Sequence, residues 1–249
     1  MRTCAVVPYF EHARTLAAVV EALLATELPC VGVDDGSGAA AHAAAATLAA
    51  RHPGKVTLVT HPRNHGKGAA VLSGMRAAAA AGCTHALQID ADGQHDTADV
   101  RAFLQQAAHH PDAVILGLPV FDATTPRTRF YGRYLTHAWV WINTLSFEIR
   151  DSMCGFRVYP LAPVLELADE ERLGSRMDFD TEVLVRLHWR GARMVEVPTR
   201  VTYPRDGQSH FHLWRDNVRI SAMHARLFFG MLRRLPTLLR RRHREVLHA

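Results

Sequence analysis

The sequence has few cysteines and no cysteine cluster. The 249-residue chain contains only Cys4, Cys30, Cys83 and Cys154, and no two of them form a CxxC pair. This spacing excludes a zinc knuckle and gives no support for a disulfide framework, because both need cysteines that are close together or numerous. We therefore expect the protein to work in a reducing compartment, the cytosol.

The sequence also lacks a long uninterrupted hydrophobic run. The apolar stretch at residues 4–8 is too short for the core of a signal peptide. The longest such stretch near the C-terminus covers residues 227–232, whereas a membrane-spanning helix needs about 20 apolar residues. We therefore expect neither export nor a transmembrane helix.

The composition is that of an ordinary globular protein. Hydrophobic residues make up 48% of the chain and charged residues 21%, which argues against disorder and against a fibrous repeat. A chain of 249 residues is near the upper limit of what one hydrophobic core holds together. We expect one α/β domain over residues 1–210, followed by a separate C-terminal segment, residues 211–249.

The positive charge is concentrated in that C-terminal segment. It contains nine arginines and two acidic residues, a net charge of +7. Because the whole chain carries +5, the remaining residues carry −2. Because apolar residues alternate with the arginines, we expect a basic amphipathic helix that either docks on its own domain or lies in the headgroup layer of a membrane. We do not expect nucleic-acid binding, since no nucleic-acid-binding module accompanies the segment.

Strand-like and helix-like stretches alternate along the first half of the chain. Short apolar runs predict strands at residues 3–8, 31–34, 56–60, 86–90 and 114–118. Alanine- and leucine-rich stretches predict helices at residues 13–26, 39–51, 68–81 and 100–109. This order predicts an α/β fold with a mostly parallel, doubly wound sheet, which binds ligands at the carboxyl ends of its strands.

Two polar motifs follow predicted strands and fit a nucleotide site. Asp34 and Asp35 precede Gly-Ser at the end of one strand, where a carboxylate can accept hydrogen bonds from a base or ribose. A turn with a helix cap is the competing interpretation. The second motif, residues 64–68, carries Lys67 between two glycines, so the backbone can approach a phosphate that Lys67 also contacts. It lacks the spacing of a P-loop.

A third motif predicts a metal site. Asp90 and Asp92 follow a buried strand two residues apart, with Gln94 next, and such oxygen ligands suit Mg²⁺ or Mn²⁺ bound to a substrate diphosphate. The cation would stabilise the charge that develops on a departing nucleoside diphosphate. A calcium loop of the EF-hand type is excluded, because Phe103 or Arg101 stands where that loop needs glutamate.

Taken together, these motifs resemble the inverting glycosyltransferases of family 2, particularly the branch that acts on polyprenol phosphates. The resemblance covers about residues 3–210 and rests on the order and spacing of VGVDDGS, NHGKGAAVLSGMRAA, QIDADGQHD, RFYGR at 129–133, DSMCGFRVY, MDFDTEVLVR and VTYPRDGQSHF. It implies a single nucleotide-diphospho-sugar transferase domain of the GT-A type, which takes a nucleoside-diphosphate sugar as donor.

The resemblance also implies a donor site. Asp34 and Asp35 would contact the nucleoside, and Lys67 would lie near the nucleotide. The metal and the diphosphate would be held by Asp90, Asp92 and Gln94, with Ala91 also in contact with the donor. The family usually opens with Pro-x-Tyr-Asn-Glu, whereas this chain has Pro8-Tyr9-Phe10-Glu11-His12. Pro8 and Glu11 remain candidate nucleoside contacts, and the altered opening leaves the identity of the donor undecided.

The acceptor site would draw on the second half of the chain. Arg129, Arg133 and Arg205 match positions where the family gathers basic residues for phosphate groups, and Ser209 lies in the same segment as Arg205. Some of these arginines could instead be surface or salt-bridge residues. A phosphate acceptor is already an anion at neutral pH, whereas an alcohol acceptor needs a general base.

If a base is needed, Asp151 is the leading candidate, with Asp178, Asp180 and Glu182 in reserve. Those last three acids open a predicted helix and could simply complement its dipole.

The resulting hypothesis is metal-assisted, inverting transfer of a hexose to a lipid-linked acceptor, such as a polyprenyl phosphate, at the cytoplasmic face of a membrane. Glycosylation of another lipid or a pigment hydroxyl is the alternative reaction. A sugar-nucleotide-binding protein without turnover is a less favoured alternative, because the acidic and basic site residues are all present. A nucleotidyltransferase is not supported, since its glycine- and basic-rich N-terminal signature is missing.

Overall fold

The computed structural model describes residues 1–121, 127–202 and 213–248. Its strands are β1 (Thr3–Tyr9), β2 (Cys30–Asp34), β3 (Val56–Thr60), β4 (His85–Gln88), β5 (Val114–Phe121), β6 (Arg157–Pro160) and β7 (Met194–Val201). Its helices are α1 (Ala13–Leu24), α2 (Ala39–Arg51), α3 (Lys67–Ala80), α4 (Val100–His109), α5 (Arg127–Thr144), α6 (Leu161–Glu170), α7 (Phe179–Trp189) and α8 (Leu213–His248).

The strands form one seven-stranded sheet in the order β3-β2-β1-β4-β6-β5-β7. β6 runs antiparallel to its neighbours β4 and β5, and the other neighbouring pairs are parallel. The mostly parallel, doubly wound α/β sheet predicted from the sequence is therefore confirmed. β6 and β7 were not predicted, because charged residues such as Arg157 and Glu196 interrupt their apolar pattern.

Helices cover both faces of the sheet. One buried cluster includes Met75 of α3, Val183 of α7 and Leu227 of α8. The cluster on the other face includes Val20 of α1 and Phe103 of α4. Because both faces are covered, the inner parallel strands β1, β2 and β4 are buried on both sides, which explains their nearly continuous apolar sequences.

A glycine lets α3 lie close to the sheet. A Cβ atom added to Gly74 would lie 2.4 Å from Cγ1 of Val6 and 2.9 Å from Cγ2 of Val33. Only glycine permits this separation between α3 and strands β1 and β2. The close packing fixes the start of α3, and with it Lys67, at the carboxyl ends of these strands.

The C-terminal helix α8 docks on the domain, one of the two arrangements expected from the sequence. Its inner face buries Met223, Leu227, Met231 and Leu238, whose spacing places them on one side of a helix. Among the described helices, none is long and apolar enough to cross a membrane.

Candidate active site

The predicted donor-site residues gather where the strand order reverses. β2 pairs with one side of β1 and β4 with the other, so the chain turns back between β1 and β4. Asp34 ends β2 opposite Tyr9 of β1, and Asp90 lies two residues beyond the end of β4. Ligands of open α/β sheets bind in the crevice at such a reversal.

Lys67 links two carboxylates from distant parts of the chain. Its Nζ atom lies 2.8 Å from Oδ2 of Asp90 and 2.9 Å from Oδ2 of Asp180, which belongs to the first turn of α7. Although burial lowers the pKa of Lys67, the charges of Asp180 and Asp90 outweigh it and leave the pKa above its ordinary value. Lys67 therefore stays charged and holds Asp90 in place.

Asp180 is itself held by residues behind the site. Nε2 of Gln88 donates a hydrogen bond to Oδ1 of Asp180 at 3.0 Å. The guanidinium of Arg157 is completely buried and donates to the backbone carbonyl of Asp180 at 2.7 Å and to the hydroxyl of Tyr159 at 2.8 Å. Buried charges persist only when they are paired and hydrogen-bonded, so this network fixes the rear wall of the site.

Gly155 gives Asp90 and Lys67 the space they occupy. A Cβ atom at this position would lie 2.5 Å from Oδ2 of Asp90 and 2.8 Å from Nζ of Lys67. Any larger residue would have to displace one of the two charged groups.

Asp90 and Asp92 form the acidic edge of the crevice. Oδ1 of Asp92 accepts a hydrogen bond from the backbone N–H of Gln94 at 3.0 Å, which closes a tight turn. Burial and the charge of Asp90 raise the pKa of Asp92 above its ordinary value. The charged form of Asp92 is therefore disfavoured by its surroundings, and a nearby cation would favour it.

These two carboxylates fit a divalent cation that is shared with a substrate. In the described part of the chain, no group of three or more His, Cys, Asp or Glu side chains forms a complete metal cage. Mg²⁺ is commonly bound by one or two carboxylates, with substrate phosphates and water as the other ligands. The acidic edge matches that pattern.

The two aspartates that follow β2 are engaged by the protein itself. Oδ1 of Asp34 accepts from the backbone N–H of Ser37 at 2.8 Å, and its Oδ2 lies 3.2 Å from Nδ1 of His42. Asp34 also contributes, after burial, to a raised pKa of the Tyr9 phenol. The carboxylate is buried in the floor of the crevice.

Asp35 binds the loop that precedes α3. Its carboxylate accepts from the backbone N–H groups of His65 at 2.9 Å and Gly66 at 2.7 Å, and it lies 2.8 Å from Nδ1 of His61. Both of its oxygens are thereby occupied. In this structure Asp35 positions the loop that leads to Lys67, and the nucleoside contact predicted for it remains a prediction.

Glu11 joins the loops that follow β1 and β2. Its Oε1 accepts from the backbone N–H of Gly38 at 2.6 Å, and its own N–H donates to Oγ of Ser37 at 3.0 Å. Glu11 has a positive φ of 59°, a conformation that non-glycine residues rarely adopt. Pro8 lies buried within β1, in register with Val33. The altered opening of the sequence thus forms an ordered part of the crevice wall.

Asp151 and Arg133, both predicted to lie on the acceptor side, form a bidentate ion pair. Nε and Nη2 of Arg133 donate to Oδ2 and Oδ1 of Asp151, each at 2.9 Å. Nε2 of His137 lies 3.4 Å from Oδ2 of Asp151. Burial alone would raise the pKa of Asp151, but the nearby His137 and the charge and hydrogen bonds of Arg133 hold it well below its usual range.

Comparison with known proteins identifies the family. The model of glycosyl transferase family 2 matches residues 4–164, which is more than half of the chain. The chain belongs to glycosyl transferase family 2. It is therefore a glycosyltransferase, and its sheet order and helices are those of a GT-A fold.

Two archaeal proteins are similar to this glycosyltransferase in sequence. An uncharacterized protein of Methanocaldococcus jannaschii is 24% identical over 211 residues, which cover 83% of this chain and 90% of that protein. The UDP-N-acetylglucosamine–dolichyl-phosphate N-acetylglucosaminyltransferase of Methanococcus voltae is 24% identical over 153 residues, 60% of each chain.

Solved glycosyltransferase structures share its fold. Glucosyl-3-phosphoglycerate synthase from Mycobacterium tuberculosis, in complex with Mn²⁺, UDP-glucose and phosphoglyceric acid, superposes with a TM-score of 0.64 at 14% identity, covering 93% of this chain and 78% of that one. The mannosyltransferase PcManGT from Pyrobaculum calidifontis, in complex with GDP-mannose and Mn²⁺, has a TM-score of 0.57 at 16% identity, covering 96% and 73%.

The side chains of three predicted site residues lie outside the part of the chain that the structure describes. Arg129 lies in the first turns of α5, and nothing is described of its side chain. Arg205 and Ser209 lie outside the described residues.

Sequence reasoning undervalued the acids at the start of α7. Asp180 and Glu182 do lie in its first turn, but they are buried and paired with specific cations: Asp180 with Lys67, and Glu182 with Arg186 at 2.7 Å. A helix-dipole role alone does not explain them. The pairing could not be foreseen, because 113 positions separate Lys67 from Asp180 and no local pattern connects them.

Four further residues contribute to the candidate site, although the sequence analysis did not single them out: Gly155, Gln88, Arg157 and His137. The only available signal was the position of Gly155 and Arg157 within the family-like motif DSMCGFRVY. His137 lies one helical turn after Arg133, so both side chains leave α5 on the same face toward Asp151.

Proposed function

We propose that this glycosyltransferase moves a hexose from a nucleoside-diphosphate sugar to a lipid-linked phosphate, such as a polyprenyl phosphate, with inversion at the anomeric carbon. The observation that carries the proposal is the arrangement of Asp90, Asp92 and Lys67 at the strand-order reversal, with the ion pair of Arg133 and Asp151 on the acceptor side.

The donor half of the proposal rests on the acidic edge. Asp90 and Asp92, with Gln94, would hold Mg²⁺ or Mn²⁺ together with the donor diphosphate, and the metal would supply charge neutralisation for the leaving group. Two structural neighbours bind a nucleotide sugar together with Mn²⁺. Lys67 keeps Asp90 oriented and adds positive charge beside the diphosphate.

The acceptor half rests on the state of Asp151. A general base works best with a pKa near the operating pH, whereas hydrogen bonding and the charge of Arg133 hold the pKa of Asp151 far below neutrality. An acceptor that is already an anion needs no base. Its oxygen attacks the anomeric carbon, and the bond from that carbon to the diphosphate oxygen breaks with its electron pair. Arg133, kept in place by Asp151, would bind the acceptor phosphate.

The relative from Methanococcus voltae is named for a dolichyl-phosphate acceptor, which supports this assignment. Transfer to a lipid or pigment hydroxyl is the alternative, and it would require Arg133 to leave Asp151 so that the carboxylate could act as a base.

We also propose that the enzyme works peripherally at the cytoplasmic face of a membrane. The outward face of α5 exposes Leu135 and Ile142, and Trp139 at its edge packs against Phe228 of α8 at 6.2 Å between ring centroids. The same helix carries Arg133 into the site. An apolar surface next to the acceptor residues suits a substrate whose phosphate is anchored in a bilayer.

A transfer assay tests the reaction. The enzyme is incubated with a panel of radiolabelled nucleoside-diphosphate hexoses, Mg²⁺ or Mn²⁺, and either a polyprenyl phosphate or a polyprenol in detergent. We expect a lipid product only with the phosphate, and we expect mild acid to release the sugar. A product from the free polyprenol that resists mild acid would identify the hydroxyl reaction instead.

A further inference from the structure

A basic groove lies between α7 and α8, on a different part of the molecule from the acidic edge. It has a volume of about 490 Å³ and is lined by Glu171, Arg186, Trp189, Arg226, Phe229, Gly230, Arg233 and Arg234. Its size falls within the range of about 300–1,000 Å³ that is usual for small-molecule sites. Four of its eight lining residues are arginines and one is acidic.

The floor of the groove is built by close packing. A Cβ atom on Gly230 would lie 2.8 Å from the ring of Trp189, so glycine allows α8 to approach α7 at this point. The guanidinium of Arg234 lies over the same ring, 4.7 Å from its centroid. Trp189 is anchored in turn, because its Nε1 donates to the carbonyl of Asn143 at 2.8 Å. The floor of the groove is therefore closely packed.

The cations of the groove exceed the acids that face them. Arg186 is paired with Glu171 and Glu182, and Arg226 lies 3.3 Å from the same Glu182. Arg234 lies 3.9 Å from Glu171. Within the described part of the chain, the guanidinium of Arg233 has no hydrogen-bond or ion-pair partner. Arg226 also lies 4.0 Å from Asp178. Three carboxylates thus contact three of the four guanidinium groups, and the unpaired Arg233 leaves the groove positively charged.

The groove opens beside an apolar strip on the outer face of α8. The strip consists of exposed residues spaced so that they share one side of the helix: Trp214, Val218, Phe229, Leu232 and Leu239. Trp214 is 82% exposed and Phe229 62% exposed. Phe229 belongs both to this strip and to the groove lining. A ligand that filled the groove would therefore have apolar surface next to it.

We propose that this groove binds the phosphate of an anionic phospholipid headgroup while the outer strip of α8 enters the membrane interface. Guanidinium groups bind phosphate oxygens through paired, charge-assisted hydrogen bonds. A basic groove bordered by exposed aromatic and aliphatic side chains matches a molecule that is anionic at one end and apolar at the other. The site would orient the enzyme on the bilayer, and in that sense it rests on the peripheral membrane location proposed above.

Vesicle co-sedimentation tests the site. The full chain is mixed with phosphatidylcholine vesicles that contain either phosphatidylglycerol or oleate, matched to the same zeta potential. Both surfaces are equally negative, but only phosphatidylglycerol offers a phosphate whose charge is not balanced by a cation on the same headgroup. We expect about tenfold tighter binding to the phosphatidylglycerol vesicles, a ratio that corresponds to about 1.4 kcal/mol. Equal binding to the two surfaces would overturn the groove as a phosphate site.

A pair of matched variants separates the groove from the general charge of α8. Arg233→Gln removes the unpaired groove cation, and Arg240→Gln removes one exposed arginine of the same helix outside the groove. We expect Arg233→Gln to abolish the preference for phosphatidylglycerol and Arg240→Gln to weaken binding to both vesicles while keeping the ratio. The same loss of preference in both variants would contradict the proposal.

Two further measurements separate the possible outcomes. Stabilisation by glycerol phosphate that depends on Arg233, without binding to any vesicle, would overturn the lipid assignment and indicate a soluble phosphate ligand. Donor turnover with a water-soluble acceptor phosphate is measured on the same preparations. We expect Arg233→Gln to leave this turnover unchanged, so a failure of the groove and a failure of the proposed transfer reaction would be told apart.

Discussion

Nζ of Lys67 lies 2.9 Å from Oδ2 of Asp180, and this contact ties the start of α3 to the start of α7 behind the proposed donor site. The same ammonium group holds Asp90 at 2.8 Å. The orientation of a proposed metal ligand thus depends on a residue 90 positions further along the chain. Stability and donor binding should therefore be coupled at Lys67.

Lys67→Met should destabilise the fold. It leaves Asp90 and Asp180 without their shared cation, and removing one partner of a buried ion pair typically costs about 3–5 kcal/mol. Arg76→Gln, on the same helix, is the matched control. It breaks the exposed pair with Asp169, in which both side chains are more than half exposed, so we expect a change below about 1 kcal/mol. Urea unfolding measures both. Equal losses of unfolding free energy in the two variants would mean that Lys67 does not form a buried link between Asp90 and Asp180.

Gly155→Ala should impair donor binding more than folding. The new Cβ would push against Oδ2 of Asp90 and Nζ of Lys67, so the metal ligand must move. Gly132→Ala is the control, because nothing lies within 4 Å of its Cβ position inside α5, and we expect it to stabilise the protein by about 0.5–1 kcal/mol. Calorimetric titration with a nucleotide sugar and Mn²⁺ should show loss of affinity only in Gly155→Ala. Unchanged affinity in that variant would place the donor elsewhere.

Asp151→Asn distinguishes positioning from base catalysis. If Asp151 orients Arg133, the variant should raise KM for the acceptor phosphate about tenfold or more, with a smaller fall in kcat, because a charge-assisted pair is weakened. If it is the base, kcat should collapse at saturating acceptor. The pH profile gives a second readout. Since the pKa of Asp151 lies well below its usual range, the carboxylate stays ionised above pH 5. We therefore expect kcat to show no change between pH 5 and 8 that reflects protonation of this group.

Acid should loosen α8 from α5 through His224. Burial lowers the pKa of this histidine from 6.5 to about 4, and its ring stacks 6.0 Å from that of Trp139. Since the folded pKa is below the unfolded value, stability is lost as the pH falls from about 6.5 toward 4, and the loss should reach about 2 kcal/mol at pH 5. Thermal unfolding at pH 7.5 and pH 5 measures it. His224→Gln should lose less stability between pH 7.5 and pH 5 than the unaltered protein. An equal loss in the two proteins would show that other groups control the acid sensitivity.

The sequence predicted which motifs lie at the carboxyl ends of β2 and β4 better than it predicted the contacts behind them. The strands that end at Asp34 and before Asp90 are continuous apolar runs, and the residues that follow each strand in a parallel sheet reach one crevice whatever the details of packing. β6 was not predicted, because it is only four residues long and begins with the buried Arg157.

The tertiary contacts of two further acids left no signal in the sequence. The carboxylate of Asp35, a predicted nucleoside contact, also binds the backbone of residues 65 and 66. Asp180, a reserve base candidate that could also have complemented the helix dipole, is buried against Lys67. In both cases the partner lies far along the chain or is a backbone group, and neither leaves a local pattern.

The most direct test is a thermal-shift panel of nucleoside-diphosphate sugars with Mg²⁺, Mn²⁺ or chelator, on the unaltered protein and on Asp92→Asn. A donor at 100 times its Kd should add about 2.7 kcal/mol, which corresponds to a rise in Tm of roughly 5–10 °C for a chain of this size. We predict such a rise with one donor and only with metal. We also predict that Asp92→Asn abolishes the rise without lowering the Tm of the free protein, because the raised pKa of Asp92 marks its charge as unfavourable there. No shift with any donor, or a metal-dependent shift that survives in Asp92→Asn, would contradict the account.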